Sequence, residues 1–171
     1  MTALENLYTR RSIRKYKPEQ ITDEALEQVL KAGTLAPTGM NRQSPIIVAV
    51  QNGDDIALMS RLNAQAWGRE IEPFYGAPTV LVVLAEASSR FAVQDGSLVM
   101  GNLMNAAHAA GLGSCWINRA KEVFDSDEGR ALLKKWGVEG EYVGVGNCVL
   151  GYAAEAPAPK PRKEHYVYYV R

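Results

Sequence analysis

Cysteine and histidine are scarce in this sequence, and each scarcity excludes a class of protein. The only cysteines, Cys115 and Cys148, stand far apart and without metal-like spacing. They offer no disulfide framework, so a reducing cytoplasm is the expected compartment. The only histidines, His108 and His165, do not complete a set of metal ligands, and no metal is expected.

Long apolar runs and the common nucleotide-binding motifs are also missing. No run approaches the ~18 apolar residues that span a bilayer. The first residues lack the basic and apolar regions of a signal peptide. There is no GxxxxGK[ST] loop, and Gly111–Gly113 and Gly144–Gly146 lack the full dinucleotide fingerprint. The sequence therefore predicts no membrane span and neither of these two nucleotide sites, and it shows no recognisable catalytic dyad or triad.

Net charge is absent too, because 19 Lys and Arg residues balance 19 Asp and Glu residues. This balance argues against a nucleic-acid partner. The charge is nevertheless uneven along the chain, because the basic run Arg10–Lys15 holds four cations and Ser12 within six residues. Arginine presents a planar fork of donors that matches phosphate oxygens, and Ser12 can add a neutral donor. The run favours one small anionic ligand, and a solvated charged turn is the alternative.

At 171 residues the chain fits a single domain, 1–171. Hydrophobic periodicity and cap signals predict alternating helices and strands, so the fold class is α+β or a three-layer sandwich with helices on both faces. The predicted helices are Ala3–Tyr8, a helix capped by Thr22 that fades near Gly33, Asp54–Trp67, Gln94–Ala110 and Asp127–Trp136. The predicted strands are Ile46–Val50 and Val80–Ala85, both buried, then Ser114–Ile117, Tyr142–Leu150 and a last one at Val167–Val170.

The predicted helix Gln94–Ala110 is apolar nearly all round. Such a helix is buried on most of its surface, so other elements must pack on more than one side of it. Gly96, Gly101 and several alanines permit close helix approach. In a chain this short, a subunit interface is a natural burial partner, so a homodimer is expected.

Two further stretches could hold a ligand. The loop Ala36–Pro45 is rich in amides and hydroxyls, which can bond a heterocycle edge or sugar-like hydroxyls, and an ordinary connector is the alternative. The tail 153–171 begins with an extended stretch rich in proline and alanine and carries Lys160, Arg162 and Lys163. Alone that cluster is a solvated patch, but it could be a second arm for the phosphate held by Arg10–Lys15.

These stretches carry a resemblance that covers essentially the whole chain. Arg-Arg-Ser-Ile-Arg-Lys-Tyr, Ala-Pro-Thr-Gly-Met-Asn-Arg-Gln-Ser-Pro and Gly-Tyr … Lys-Pro-Arg-Lys, in this order, resemble the FMN-dependent nitroreductase family, as does the block Asp95–Ile117. The resemblance implies an α/β/α sandwich with a central mixed, mostly antiparallel sheet. It also implies FMN as cofactor. By a ping-pong mechanism, NAD(P)H would reduce the flavin, which would then reduce a nitroaromatic, quinone or similar acceptor.

The resemblance also implies residue roles, with active sites formed at a dimer interface. Arg10 and Ser12 would hold the FMN phosphate, and Arg14 would reach N1 and O2 of the flavin. Lys160 and Arg162 would close on the phosphate, with the tail reaching the partner subunit. Thr38, Asn41 and Gln43 would come from the partner subunit, and Trp116 and Ile117 would line the dimethylbenzene or N5 side of the flavin. The full implied cofactor-binding set is Arg10, Arg11, Ser12, Arg14, Pro37, Thr38, Gly39, Asn41, Gln43, Trp116, Ile117, Lys160 and Arg162.

The sequence departs from longer relatives at two points. No lysine stands in Glu70–Tyr75, and Asn118 replaces a glutamate. Residues 67–76, bracketed by Gly68 and Gly76, resemble a lid. Flavin reductases, dehalogenases and an FMN-storage protein without useful turnover remain alternatives, and no side chain is assigned as catalytic because the flavin carries the chemistry.

Overall fold

One antiparallel sheet of four strands organises the molecule. A computed structural model describes all residues 1–171. The strands are β1 (Pro45–Val50), β2 (Thr79–Glu86), β3 (Gly113–Ile117) and β4 (Tyr142–Gly151), in the spatial order β1-β2-β4-β3. Every neighbouring pair of strands is antiparallel. The only parallel pairing is a single bridge between Ser12 and Ser114.

Six helices surround this sheet. They are α1 (Ala3–Thr9), α2 (Asp23–Thr34), α3 (Gly53–Trp67), α4 (Ala92–Ala109), α5 (Ala120–Asp125) and α6 (Asp127–Lys135). The predicted N-cap at Thr22 is confirmed, since its hydroxyl accepts the Ala25 N–H. None of the helices combines the length and apolarity needed to cross a bilayer.

The core has two halves, one on each face of the sheet. On one face, β2 and β4 side chains pack against α2 and α4. On the other, side chains of β2, β3 and β4 pack with α3, α5 and α6. Alternate residues of the apolar run in β2 serve both halves, which is why that strand is buried almost throughout. The α+β prediction with helices on both faces is confirmed.

A buried carboxylate ties α3 to α6. Asp55 accepts hydrogen bonds from Lys135 Nζ at 2.5 Å and from Trp136 Nε1 at 2.9 Å. These bonds, from Lys135 first and Trp136 second, lower the pKa of Asp55 from its ordinary value. The charge is compatible with burial only because both donors reach it.

Two expectations about the elements need correction, and one short helix was not predicted. Ile46–Val50 was expected to be buried, but β1 is an edge strand whose residues are mostly half-buried. Val167–Val170 forms no strand and is exposed, because nothing in this chain pairs with it. The short helix α5 had no recognised signal, since it begins behind Arg119 without a side-chain cap and ends at Ser126, which already caps α6.

Candidate functional site

The basic run lies beside the edge strand β3. The Ile13 N–H donates to the Ser114 carbonyl at 3.0 Å, and the Ile13 side chain packs on Gly113, whose missing Cβ leaves the room. Beyond it, Lys17 N–H donates to Tyr152 O at 2.9 Å, and Ala154 N–H donates to Lys15 O at 2.9 Å. The run is therefore held by backbone bonds between β3 and the chain that follows β4.

Helix α1 fixes the start of the run against the end of α4. Asn6 Nδ2 donates to Asn105 O at 3.0 Å, and Thr9 Oγ1 lies 2.9 Å from His108 Nε2. Arg10 is half-buried, and its Nη1 is buried without a hydrogen-bond partner. A buried guanidinium nitrogen is costly unless it finds an acceptor, so this donor fits the phosphate that the sequence predicts here.

Two cavities follow the run along β3. One, of about 350 Å³, lies between α1, the end of α4 and the chain after β4, and is lined by Thr9, Arg11, Ile13, His108, Gly111, Leu112, Ser114, Ala153, Glu155, Ala156 and Pro157. The next, of about 160 Å³, is lined by Arg14, Asn63, Trp67, Pro73, Tyr75, Cys115, Trp116, Ile117, Asn118 and Arg119. Within the run, Arg11 and Ile13 line the first cavity and Arg14 lines the second, while Arg10 and Ser12 line neither.

Two side chains at the first cavity were missed by sequence reasoning. Glu155 accepts the Arg14 backbone N–H at 2.5 Å, so this N–H faces an anionic oxygen. His108, expected to be a core or interface residue, reaches Thr9 at the rim of that cavity. No spacing in the sequence relates Glu155 or His108 to residues 9–14, because the contacts depend on how the tail and α4 fold back.

The environment of His108 disfavours its charged form. Burial first, and then the charges of Arg10 and Arg11, lower the pKa of His108 below its ordinary value of 6.5. As pH falls below 6.5, the unfolded chain therefore takes up this proton before the folded chain does. The stability associated with neutral His108 is complete above that pH and is lost as pH falls towards the lowered pKa.

We expect His108→Gln to reduce the drop in denaturation midpoint between about pH 7.5 and 5.5, the range in which histidines titrate. Thermal denaturation at both pH values measures this. His165→Gln, in the exposed tail, is the matched control and should leave the drop in place. An identical pH dependence in the parent protein and His108→Gln would contradict the assignment.

The strand residues predicted to line the flavin divide between the two faces of the sheet. Ile117 is buried in the half that contains α3 and α5. The Trp116 indole packs towards α4, close to Gly146 and Met100, and its Nε1 has no partner. Cys115 is a buried thiol whose pKa burial raises, which fits the packing role expected for it.

The loop Ala36–Pro45 is strained and lies elsewhere. Three of its non-glycine residues, Met40, Asn41 and Gln43, have positive φ angles of 55°, 52° and 53°. Each costs about 1 kcal/mol, and such strain collects at functional sites. The Gly39 N–H donates to Asp95 Oδ1 at 2.9 Å, which pins the loop to the first turn of α4.

The predicted site residues therefore form two groups within one chain. Arg10–Arg14 directly follows Thr9, which lies against the last turn of α4, while Gly39 of the loop Ala36–Pro45 is bonded to its first turn. Helix α4 has 18 residues and so is about 27 Å long. The chain does not bring these groups together. Lys160 and Arg162 are exposed in the tail and form no ion pair or hydrogen bond within the chain.

The segment 67–76, which the sequence predicts to be a lid, contributes Trp67, Pro73 and Tyr75 to the wall of the second cavity. Residues 68–76 follow α3, with Gly68 at its C-cap and Gly76 at the other end, both at positive φ. Glu72 anchors the segment through its Oε1 and Oε2, which accept the Phe74 and Gly76 N–H groups at 3.0 and 2.7 Å. Phe74 is buried. The segment is thus a fixed turn over the cavity with its tip, Ile71, exposed.

Comparisons with known proteins agree with this architecture and with the sequence motifs. Residues 7–152 match the model of the nitroreductase family. A protein of Archaeoglobus fulgidus, provisionally named an NADH dehydrogenase/NAD(P)H nitroreductase, is 33% identical over 169 residues, with 95% of this chain and 88% of that protein covered.

Solved structures are similar over the full chain. A nitroreductase with bound FMN from Bacteroides fragilis is 30% identical, with a TM-score of 0.90 and 100% of both chains covered. A second, from Desulfitobacterium hafniense and also with bound FMN, is 25% identical, with a TM-score of 0.89 and the same coverage. The motif resemblance, the family match and the shared fold agree, and the chain belongs to the nitroreductase family.

Proposed function

We propose that this protein is an FMN-dependent oxidoreductase that takes a hydride from NAD(P)H and reduces a nitroaromatic, quinone or similar acceptor by a ping-pong mechanism. The observation that carries the proposal is the buried, partnerless Nη1 of Arg10 in a run held along β3. The bound FMN of the two similar structures supports the cofactor.

Bound FMN would supply the hydride transfer itself, and the chain would supply binding, orientation and charge. Arg10, Arg11 and Ser12 would hold the phosphate. Lys160 and Arg162 would close on it from the tail. Arg14, at the second cavity, would present its guanidinium to the N1 and O2 edge of the ring, where a cation stabilises developing negative charge.

The site is completed by a second copy of the chain. In a two-fold dimer with α4 packed antiparallel on α4, the first turn of one helix meets the last turn of the other. Loop Ala36–Pro45 of one subunit would then face Arg10–Arg14 of its partner, so the length of α4 would no longer separate the two groups. The exposed apolar residues on α1 and α4, among them Leu4, Leu7 and Leu98, support an interface here.

The tail fits the same arrangement. Its last residues, Tyr166–Val170, are exposed and rich in aromatic and apolar side chains. Exposed apolar clusters of this kind mark surfaces that bind a partner. We propose that the single domain 1–171 lends this tail to its partner in a cytoplasmic homodimer.

The proposal is tested by the visible spectrum of protein purified without added flavin, followed by anaerobic reduction with NADH or NADPH. The expected result is a flavin spectrum, bleached by a nicotinamide and restored by an added quinone. Colourless protein that fails to take up added FMN would overturn the proposal. Bleaching without restoration would leave a flavin protein that stores or senses FMN.

Arg14→Met should lower the midpoint potential of the bound flavin and slow its reduction by NAD(P)H. The change keeps much of the side-chain bulk and removes the charge, while the phosphate contacts remain. Each kcal/mol lost from the two-electron reduced state lowers the potential by roughly 20 mV. Potentials measured against a reference dye check this, with Lys15→Met as control. Unchanged potential with weakened FMN binding would make Arg14 a phosphate ligand instead.

A further inference from the structure

The second cavity carries a cation that the proposed chemistry does not use. Arg119 lines it together with Arg14. Arg119 has a φ of 73°, in the left-handed region that disfavours residues with a Cβ. Glycine would adopt this backbone freely, so an arginine here retains a side chain at a conformational cost. Strain of this kind is concentrated at ligand sites.

The Arg119 side chain is held in place by an aromatic ring. Its guanidinium lies 4.3 Å from the centroid of the Trp67 ring, and that of Arg69 lies 4.8 Å from the same centroid. Stacking on an aromatic face fixes the plane of a guanidinium while its N–H fork stays free at the edge. Arg119 is thus positioned at the cavity rather than extended into solvent.

No carboxylate forms an ion pair with these cations. The three ion pairs of the structure are Lys121–Asp125, Arg130–Asp127 and Lys135–Asp55, and none involves Arg14, Arg69 or Arg119. Glu72, within the segment 68–76, accepts hydrogen bonds from Ser60 and from backbone N–H groups. Two unpaired guanidinium groups therefore line one cavity of about 160 Å³.

We propose that Arg119 is a specificity-determining residue that binds an anionic group of the substrate. This inference rests on the proposed function, in which Arg14 serves the flavin and leaves Arg119 for the molecule that enters above it. The substrate class is a small planar molecule that carries a carboxylate. The other source of the same chemistry is the 2′-phosphate of NADPH. A guanidinium fork binds either anion through paired hydrogen bonds.

Arg119→Gln removes the charge and keeps the length and polarity. On the FMN-loaded protein, the ratio of kcat/KM for 4-nitrobenzoate to that for the neutral 4-nitrobenzamide should fall roughly tenfold, the scale of one charged hydrogen bond. The ratio for NADPH to NADH is measured in parallel. A loss confined to the nitrobenzoate ratio places the anion on the acceptor, and a loss confined to the NADPH ratio places it on the donor.

Binding is measured separately from turnover. Calorimetric titration of the oxidised protein with benzoate and with benzamide, which cannot be reduced as nitro compounds can, should show that Arg119→Gln weakens only benzoate. Benzoate binding should also weaken with added salt in the parent protein. Arg119→Lys should recover part of the benzoate affinity.

Two further variants serve as a control and as a substitute for Arg119→Gln. Arg69→Gln removes the other guanidinium stacked on Trp67, but Arg69 does not line the cavity, so both ratios should remain. Arg119→Gly removes the charge and relieves the left-handed backbone, so it serves if Arg119→Gln fails to fold.

If neutral and anionic ligands respond equally to the loss of Arg119, in both binding and turnover, the inference is overturned. Reduction of a neutral quinone by NADH distinguishes this from failure of the proposed function, because neither molecule carries the anion that Arg119 would bind. If the protein reduces the quinone but shows no preference for anionic ligands that depends on Arg119, the proposed function stands and this inference is wrong.

Discussion

Arg10→Ala should weaken FMN binding by about 1.5–3 kcal/mol, the contribution of a hydrogen bond to a charged group. This corresponds to roughly a tenfold to hundredfold rise in Kd. The reason is geometric: Nη1 of Arg10 is already buried and has no protein acceptor, so the phosphate would be its partner. Fluorescence titration of flavin-free protein with FMN measures the change.

Two controls separate a lost phosphate contact from general damage. Lys15→Ala removes an exposed cation of the same run and should change the Kd for FMN much less. Riboflavin, which lacks the phosphate, should bind the parent protein and Arg10→Ala with similar affinity. FMN binding as tight in Arg10→Ala as in the parent protein would show that the phosphate lies elsewhere.

Gly101→Glu should dissociate the proposed dimer and release FMN with it. Gly101 lies on the outward face of α4, with no atom within 4 Å of the position that a Cβ would occupy, so the single chain tolerates a side chain there. In the dimer the same face would be covered. Two buried, unpaired carboxylates near a two-fold axis should raise the dissociation constant by roughly a hundredfold or more.

Light scattering at low micromolar concentration, together with the flavin content, measures this effect. Gly53→Glu is the matched control. A Cβ at Gly53 would also have no atom within 4 Å, and Gly53 lies in the first turn of α3, where an acidic side chain is favourable. We expect Gly53→Glu to remain dimeric and yellow. Gly101→Glu that is folded, monomeric and still saturated with FMN would contradict the shared site.

Most of the fold could be predicted because its elements follow local rules. Thr22 caps a helix in the sequence as it does in the structure, and the β-branched run in β2 is buried as predicted. The errors arise where non-local packing decides. The sequence of β1 does not show that it lies at an edge, and Val167–Val170 has β-forming residues but no strand beside it in its own chain.

The candidate site could be predicted only in part, for the same reason. Motifs along the chain indicated Arg10–Arg14 and Ala36–Pro45, but not that α4 holds them at opposite ends. Arg119 directly follows the Trp116–Asn118 stretch that the resemblance drew attention to. Its backbone strain and its stacking on Trp67 are visible only in three dimensions.

The central claim is that one FMN site takes its phosphate run from one subunit and its polar loop from the other. It is tested most directly by mixed dimers, co-expressed with two tags, of Arg10→Ala chains and chains with both Asn41→Ala and Gln43→Ala. A homodimer of either variant chain carries two damaged sites. If each site takes residues from both subunits, all the changes in the mixed dimer fall in one site and the other site is intact. About one FMN per mixed dimer should then bind with the affinity of the unmodified protein. Mixed dimers whose two sites are both as weak as those of the single variants would contradict the claim.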